Sequence, residues 1–135
     1  MVHLNHPGEA LCLHVSELAP DVDFVDVQQI IQLSRRRHTE LSIRGALVFD
    51  GERIGQLLVG PQAAVAEAMG RIEQEPHYRQ MRRLHAGTSA STWATLTQWS
   101  SGYCGTADLD AVMACADGDA AVQTFLRLVA NAVMD

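Results

Sequence analysis

The sequence predicts an α+β domain in the order β-α-β-β-α-β, the ferredoxin-like arrangement, extended by a fifth strand and C-terminal helices. Three observations predict it. Short apolar runs at 10–16, 42–49 and 53–59 have the length of buried strands. Asp50-Gly51 stands between the last two of them, where a hairpin turn needs a residue that tolerates positive φ. Stretches with apolar residues spaced by three and four lie between the remaining runs. At 135 residues and 47% hydrophobic content, the chain fits one domain able to build its own core.

The first run, Ala10 to Ser16, reads as a buried strand. Pro20-Asp21 punctuates the chain, and Asp23 suits the N-cap of a helix starting at Phe24. Val27, Ile30, Ile31 and Ser34 recur at helical spacing, and the helix should fade near Arg35-Arg36-Arg37. Residues 42–49 form the second strand and Arg53 to Val59 the third, antiparallel across a type I′ turn. Gly60-Pro61 breaks the third strand, with Pro61 suited to a helix's first turn. Ala64, Val65, Ala68, Met69 and Ile72 give the second helix its apolar face, and Glu75-Pro76 ends it. A fourth strand is expected around Met81 to His85 and a fifth over Thr95 to Tyr103. Two helices, about 107–115 and 119–134, divide at Asp117-Gly118. Their apolar stripe (Leu109, Val112, Met113, then Val122, Phe125, Leu126, Val129 and Val133) is expected to cover the open face of the sheet. Any part left over leaves a homodimer interface open. The predicted division is 1–105 for the main domain and 106–135 for the helical extension.

A formal charge of −6 argues against nucleic acid as a general partner, because phosphate binding needs clustered cations. The three cysteines are an odd number without a CxxC pair, so free thiols are expected and no metal site. No run of about 18 apolar residues suggests a membrane span. Residues 1–10 carry His, Asn, Pro and Glu where a secretory peptide needs an apolar stretch, so the expectation is a cytoplasmic chain. No Ser-His-Asp or paired-carboxylate arrangement is evident, which makes an enzyme the weakest reading.

The middle of the chain carries a more specific pattern. Ile43-Arg44-Gly45-Ala46-Leu47-Val48-Phe49-Asp50-Gly51 is followed by Arg53-Ile54-Gly55-Gln56-Leu57-Leu58-Val59-Gly60-Pro61, then by Arg71-Ile72 and Glu75-Pro76. This resembles the BLUF family of blue-light sensors using FAD, whose strands read G-(I/V)-T-G-x-L-x-(Y/F) and F-x-Q-x-L-E-G, before a helix ending R-I-x-x-D-P-R-H. The resemblance runs from about Leu11 to Tyr103. It implies a flavin, FAD or a relative, between the two helices above the sheet, in a sensory or signalling domain that is not an enzyme. It places Gln56 on the glutamine that contacts flavin N5 and O4, and Trp99 on the family's fifth-strand tryptophan. Ile30 and Ser34 match the ring-facing side of the first helix, and Arg37 and Arg71 complete the expected cofactor contacts with His14 and His38.

Departures from the pattern concentrate on the chemistry. The first-strand tyrosine, the family's electron and proton donor, is replaced by His14. The asparagine at the flavin edge is replaced by His38, the methionine two residues after Trp99 by Ser101, and the Arg-His pair by His77-Tyr78. The threonine of the first motif is replaced by Arg44. Imidazole is a poor one-electron donor, so the usual photochemistry is expected to fail. Two alternatives stay open at this level. One is a cofactor-free, degenerate module for protein–protein interaction, and the other a haem- or metal-binding sensor using His14 and His38. An output partner protein is expected, of unknown identity.

Overall fold

The computed structural model describes residues 9–88 and 96–135. The elements are β1 (Glu9–Leu18), α1 (Phe24–Glu40), β2 (Arg44–Phe49), β3 (Arg53–Pro61), α2 (Gln62–Glu73), β4 (Tyr78–Thr88), β5 (Trp99–Tyr103), α3 (Thr106–Met113), α4 (Gly118–Asn131) and β6 (Val133–Met134). They form one sheet in the order β4-β1-β3-β2-β5-β6. Neighbours pair antiparallel except β2 and β5, which are parallel. The ferredoxin-like prediction therefore stands for the first four strands.

Asp23 caps α1 as expected. Its side chain accepts from the Asp26 N–H at 2.9 Å, and Asp26 returns a bond to the Asp23 N–H at 3.1 Å. The helix does not fade at the arginines but continues to Glu40. Arginine is a good helix former, and cations in a last turn favour the exposed carbonyls. Ser42, at φ 60, then turns the chain into β2.

The β2–β3 turn differs from the expected type I′. Only Gly51, at φ 100, takes positive φ, and Asp50 does not. The central pair is therefore Gly51-Glu52, with the glycine first, as in a II′ turn. Asp50 supports the turn from one side, its carboxylate accepting from the Glu52 and Arg53 N–H groups at 2.8 and 2.6 Å. Arg53 reaches on to Asp110 at 2.8 Å and the Thr106 carbonyl at 3.0 Å, tying the hairpin to α3. Pro61 sits one position earlier than expected, as the N-cap of α2 rather than in its first turn.

Alternation along the central strands sends side chains to two cores. Leu11, Leu13, Val15, Val48, Leu57 and Val59 face α3 and α4, meeting Leu109, Val112, Val122 and Phe125. Cys12, Leu47, Ile54 and Leu58 face α1 and α2, meeting Ile30, Val65, Ala68, Met69 and Ile72. α3 and α4 thus cover the second face of the sheet. Gly55 leaves room for them: a Cβ there would lie 3.0 Å from Leu109 and 3.2 Å from Phe125. At Gly45, φ 138, a Cβ would run into the Leu57 carbonyl, so that motif glycine has a steric cause.

Two C-terminal details depart from expectation. The last helix ends at Asn131 rather than 134, and Val133–Met134 adds a sixth strand beside β5. Ser101 and Asp135 exchange backbone bonds of 3.2 and 2.7 Å there, which a helical end would not satisfy. The fifth strand starts at Trp99, and Thr95 lies outside the described residues.

Phe125 is fully buried against the sheet. Its replacement by alanine should cost about 3–5 kcal/mol of unfolding free energy in denaturant titrations. Deletion of residues 107–135 should lower the melting temperature sharply, and a truncated chain of unchanged stability would contradict this account of the second core.

Candidate functional site

α1 and α2 lie side by side on one face of the sheet and leave a cleft between them. Its α1 wall is Ile30, Leu33, Ser34, Arg37, His38 and Leu41, and its α2 wall is Ala68, Arg71 and Ile72. Glu75 and Tyr78 close one end. The space enclosed between the two helices is about 40 Å³. Helical spacing explains the α1 wall, since positions 30, 34, 37, 38 and 41 recur by three and four.

Beneath the cleft, β1 and β3 bring His14 and Gln56 opposite each other in antiparallel register. Both side chains are fully buried. Gln56 lies on the helix-covered face, as its alternation with Ile54 and Leu58 predicts. Its Oε1 is 3.4 Å from His38 Nε2, and its Nε2 donates to the Tyr78 hydroxyl at 3.4 Å. His38 meets Trp99 edge to face, with ring centroids 4.3 Å apart.

Several buried polar atoms here have no hydrogen-bond partner among the described residues: both ring nitrogens of His14, His38 Nδ1, Ser16 Oγ and Trp99 Nε1. Such groups ordinarily find partners, so their gathering on one face marks polar chemistry rather than simple packing. Burial pushes the His14 pKa down to about 3, with His38 and Arg83 adding to the effect. Burial likewise lowers His38 to about 4, against an opposing contribution from the Gln56 hydrogen bond. Both imidazoles are therefore neutral at ordinary pH.

Of the residues singled out in the sequence, Ile30, Ser34, Arg37, His38 and Arg71 line the cleft, while Gln56 and His14 lie in its floor region. Trp99 is not brought into the cleft. It touches His38 but lines a separate groove with Arg35, Thr39 and Arg44. Arg44, a departure from the motif, forms a two-pronged pair with Glu9 at 2.7 and 3.0 Å and takes no part in the cleft. Tyr78 is the residue sequence reasoning missed. It registered only as a departure from Arg-His, although a phenol at the start of β4, beside Leu18 of β1, is within reach of the sheet's polar floor.

The chemistry of this lining suits a flat ring with a hydrogen-bonding edge: Ile30, Leu33, Leu41, Ala68 and Ile72 are aliphatic, and His38 and Tyr78 offer polar contacts beside two arginines. The family model for BLUF, sensors of blue light using FAD, matches residues 10–100. The chain belongs to the BLUF family. Solved BLUF structures resemble it in fold. BlrB in its dark state matches at TM-score 0.70 and 20% identity, covering 93% of this chain and 97% of that one. BlsA in a photo-activated state matches at TM-score 0.64 and 13% identity, covering 82% and 81%. Klebsiella pneumoniae BlrP1 with FMN and cyclic diGMP matches at TM-score 0.56 and 26% identity, covering 61% of this chain and 22% of that one. The chain thus spans about a fifth of the length of that protein. No curated protein matches the sequence.

As a BLUF domain the chain is a flavin-binding sensory domain, and neither the cofactor-free nor the haem or metal alternative is favoured. Among the described residues, no helix is long and apolar enough to cross a membrane.

The two histidines set a pH dependence. Their folded pKa values lie below the ordinary 6.5, so the unfolded chain binds protons more readily. Their contribution to stability is complete above about pH 6.5 and is lost as pH falls toward 4 and 3. Each should add roughly 1.4 kcal/mol per pH unit to the slope once its unfolded form is protonated. Denaturant midpoints measured between pH 7 and 5 should fall, and His14→Tyr should flatten the curve; an unchanged slope would mean that His14 is not buried neutral.

Proposed function

We propose that this BLUF domain holds the flavin ring in the α1–α2 cleft, with its polar edge toward His38 and above Gln56, and that its light response departs from the family's. The observation that carries this is the contact of His38, in the cleft wall, with the buried Gln56, which stands opposite His14 across β1 and β3. Ile30 and Ser34 supply the wall against one side of the ring. Arg37 and Arg71, at the cleft's edge, suit the anionic part of FAD by charge. Trp99 serves indirectly, by packing against His38. The bound flavin supplies visible absorption and an excited state that accepts an electron.

His14 occupies the β1 position beside Gln56 but has no phenolic proton to give. Neutral and fully buried, its ring is a poor one-electron donor. His38 presents an imidazole at the ring edge where a side-chain amide would offer two donors and an acceptor.

The wider reading follows the same support. Residues 1–105 form the sensor and 106–135 an extension covering its second face, which acts in the cytoplasm on a protein partner and not as an enzyme. The net charge of −6 suits a protein rather than nucleic acid or a membrane surface as the partner. A homodimer would use the part of α4 around Leu126 and Val129 that the sheet leaves half-buried.

Purified protein reconstituted with FAD should show the structured absorption of bound flavin. Its light-minus-dark difference spectrum should show slow or no conversion to a red-shifted state. The double variant His14→Tyr, His38→Asn should recover part of that shift. A clear, reversible red shift in the unaltered protein would overturn the account of its photochemistry, and absence of any flavin binding would overturn the site.

A further inference from the structure

Tyr78, the first residue of β4, lines the end of the cleft and accepts the Gln56 Nε2–H. We infer that Tyr78 is a positioning residue of this site. It fixes the orientation of the buried Gln56 amide and presents its own hydroxyl proton to a hydrogen-bond acceptor on a ring held between α1 and α2. The inference rests on the flavin reading and deepens it.

A fully buried glutamine amide carries two N–H donors and a carbonyl acceptor, and leaving them unmatched costs about 1–3 kcal/mol for each group. Gln56 has two neighbours, His38 Nε2 and the Tyr78 hydroxyl, on opposite ends of the amide. With Oε1 toward His38, that imidazole carries its proton on Nε2 and donates it. The amide nitrogen then faces Tyr78, whose oxygen accepts. A phenol oxygen that accepts this bond still has a proton to donate. Among the described residues, no acceptor for that proton is found. Glu75, the nearest anion along the chain, is engaged with His77 Nδ1 at 2.6 Å.

The phenol keeps its proton over any ordinary pH range. Burial raises its pKa, and the Glu75 carboxylate raises it further, against a smaller opposing contribution from Gln56. The free donor therefore belongs to the wall of the cleft. It suits a carbonyl or imine acceptor on the edge of a planar heterocycle. Its place at the β4 end, rather than on β1, comes from the sheet order, which sets β4 next to β1 and pairs Tyr78 with Leu18.

The test uses the full chain and FAD. The sequence has two tyrosines, Tyr78 and the half-exposed Tyr103, which is bonded to Gln28 at 2.6 Å. Tyrosine labelled with ¹³C at Cζ gives two NMR signals, and Tyr103→Phe assigns them. Addition of FAD should move the Tyr78 signal and leave that of Tyr103 in place. Tyr78→Phe should bind FAD about tenfold more weakly, as expected for one lost hydrogen bond. It should also shift a flavin carbonyl band in the Raman spectrum to higher wavenumber, a change that a general loss of packing would not produce. The labelled wild type answers the question even if Tyr78→Phe fails to fold. A wild type that binds FAD with an unmoved Tyr78 signal, or a folded Tyr78→Phe with unchanged affinity and carbonyl band, would overturn the inference. A wild type that does not bind FAD would instead overturn the flavin reading itself.

Discussion

The unbroken antiparallel pairing of β1 with β3, from Glu9 opposite Pro61 to Glu17 opposite Arg53, is the constraint on which the rest of the structure depends. These two strands lie inside the sheet, with β4 and β2 outside them, and both of their faces are covered. Because side chains alternate, one register decision assigns every residue of both strands to one of two cores. Leu11, Leu13 and Val15 go to the α3–α4 side, while Cys12, His14 and Ser16 go to the α1–α2 side. A slip of β1 by one residue would place His14 among Leu109 and Phe125. The all-apolar packing on that side thus defends the polar floor on the other.

That floor is costly. Two histidines, a glutamine and a serine are buried where apolar side chains would pack without unmatched hydrogen-bonding groups. The pairing of β1 with β4 is also irregular here. Register shifts fall between Leu13 and His14 and between Val15 and Glu17, and Gln80 takes a φ of 46. Bulges of this kind re-aim side chains beside sites. The regular β1–β3 ladder and the irregular β1–β4 ladder meet at His14, so the strand is evenly paired on one side and bulged on the other.

The α1–β5 contact connects this floor to the far edge of the sheet. His38 packs on Trp99, and one turn earlier Arg35 donates to Ser101 Oγ and to the Asp135 carbonyl, both at 3.1 Å. Ser101 replaces a longer, apolar family residue. Its hydroxyl accepts a charged hydrogen bond from the Arg35 guanidinium at the sheet edge. Rim groups on one helix thus touch both the cleft and the last strand.

The sequence by itself determined the elements and the faces. The capping Asp23, the three-and-four spacing along α1 and α2, the presence (though not the type) of the β2–β3 turn and the alternation around Gln56 are local signals, and short-range sterics enforce them. They were enough to place Ile30 and Ser34 on one face of α1 and Gln56 on one face of the sheet with Ile54 and Leu58, while His38 was legible only through the BLUF motif in the same stretch. Other features were decided only when distant segments met. The sixth strand, Trp99 turning to a neighbouring groove and Tyr78 arriving at Gln56 all depend on contacts between residues far apart in the chain. Tyr78 lies 22 positions from Gln56, and no local periodicity relates the two. Their contact exists because β4 crosses to the outer edge of β1, and strand order is a property of the whole sheet rather than of any one strand.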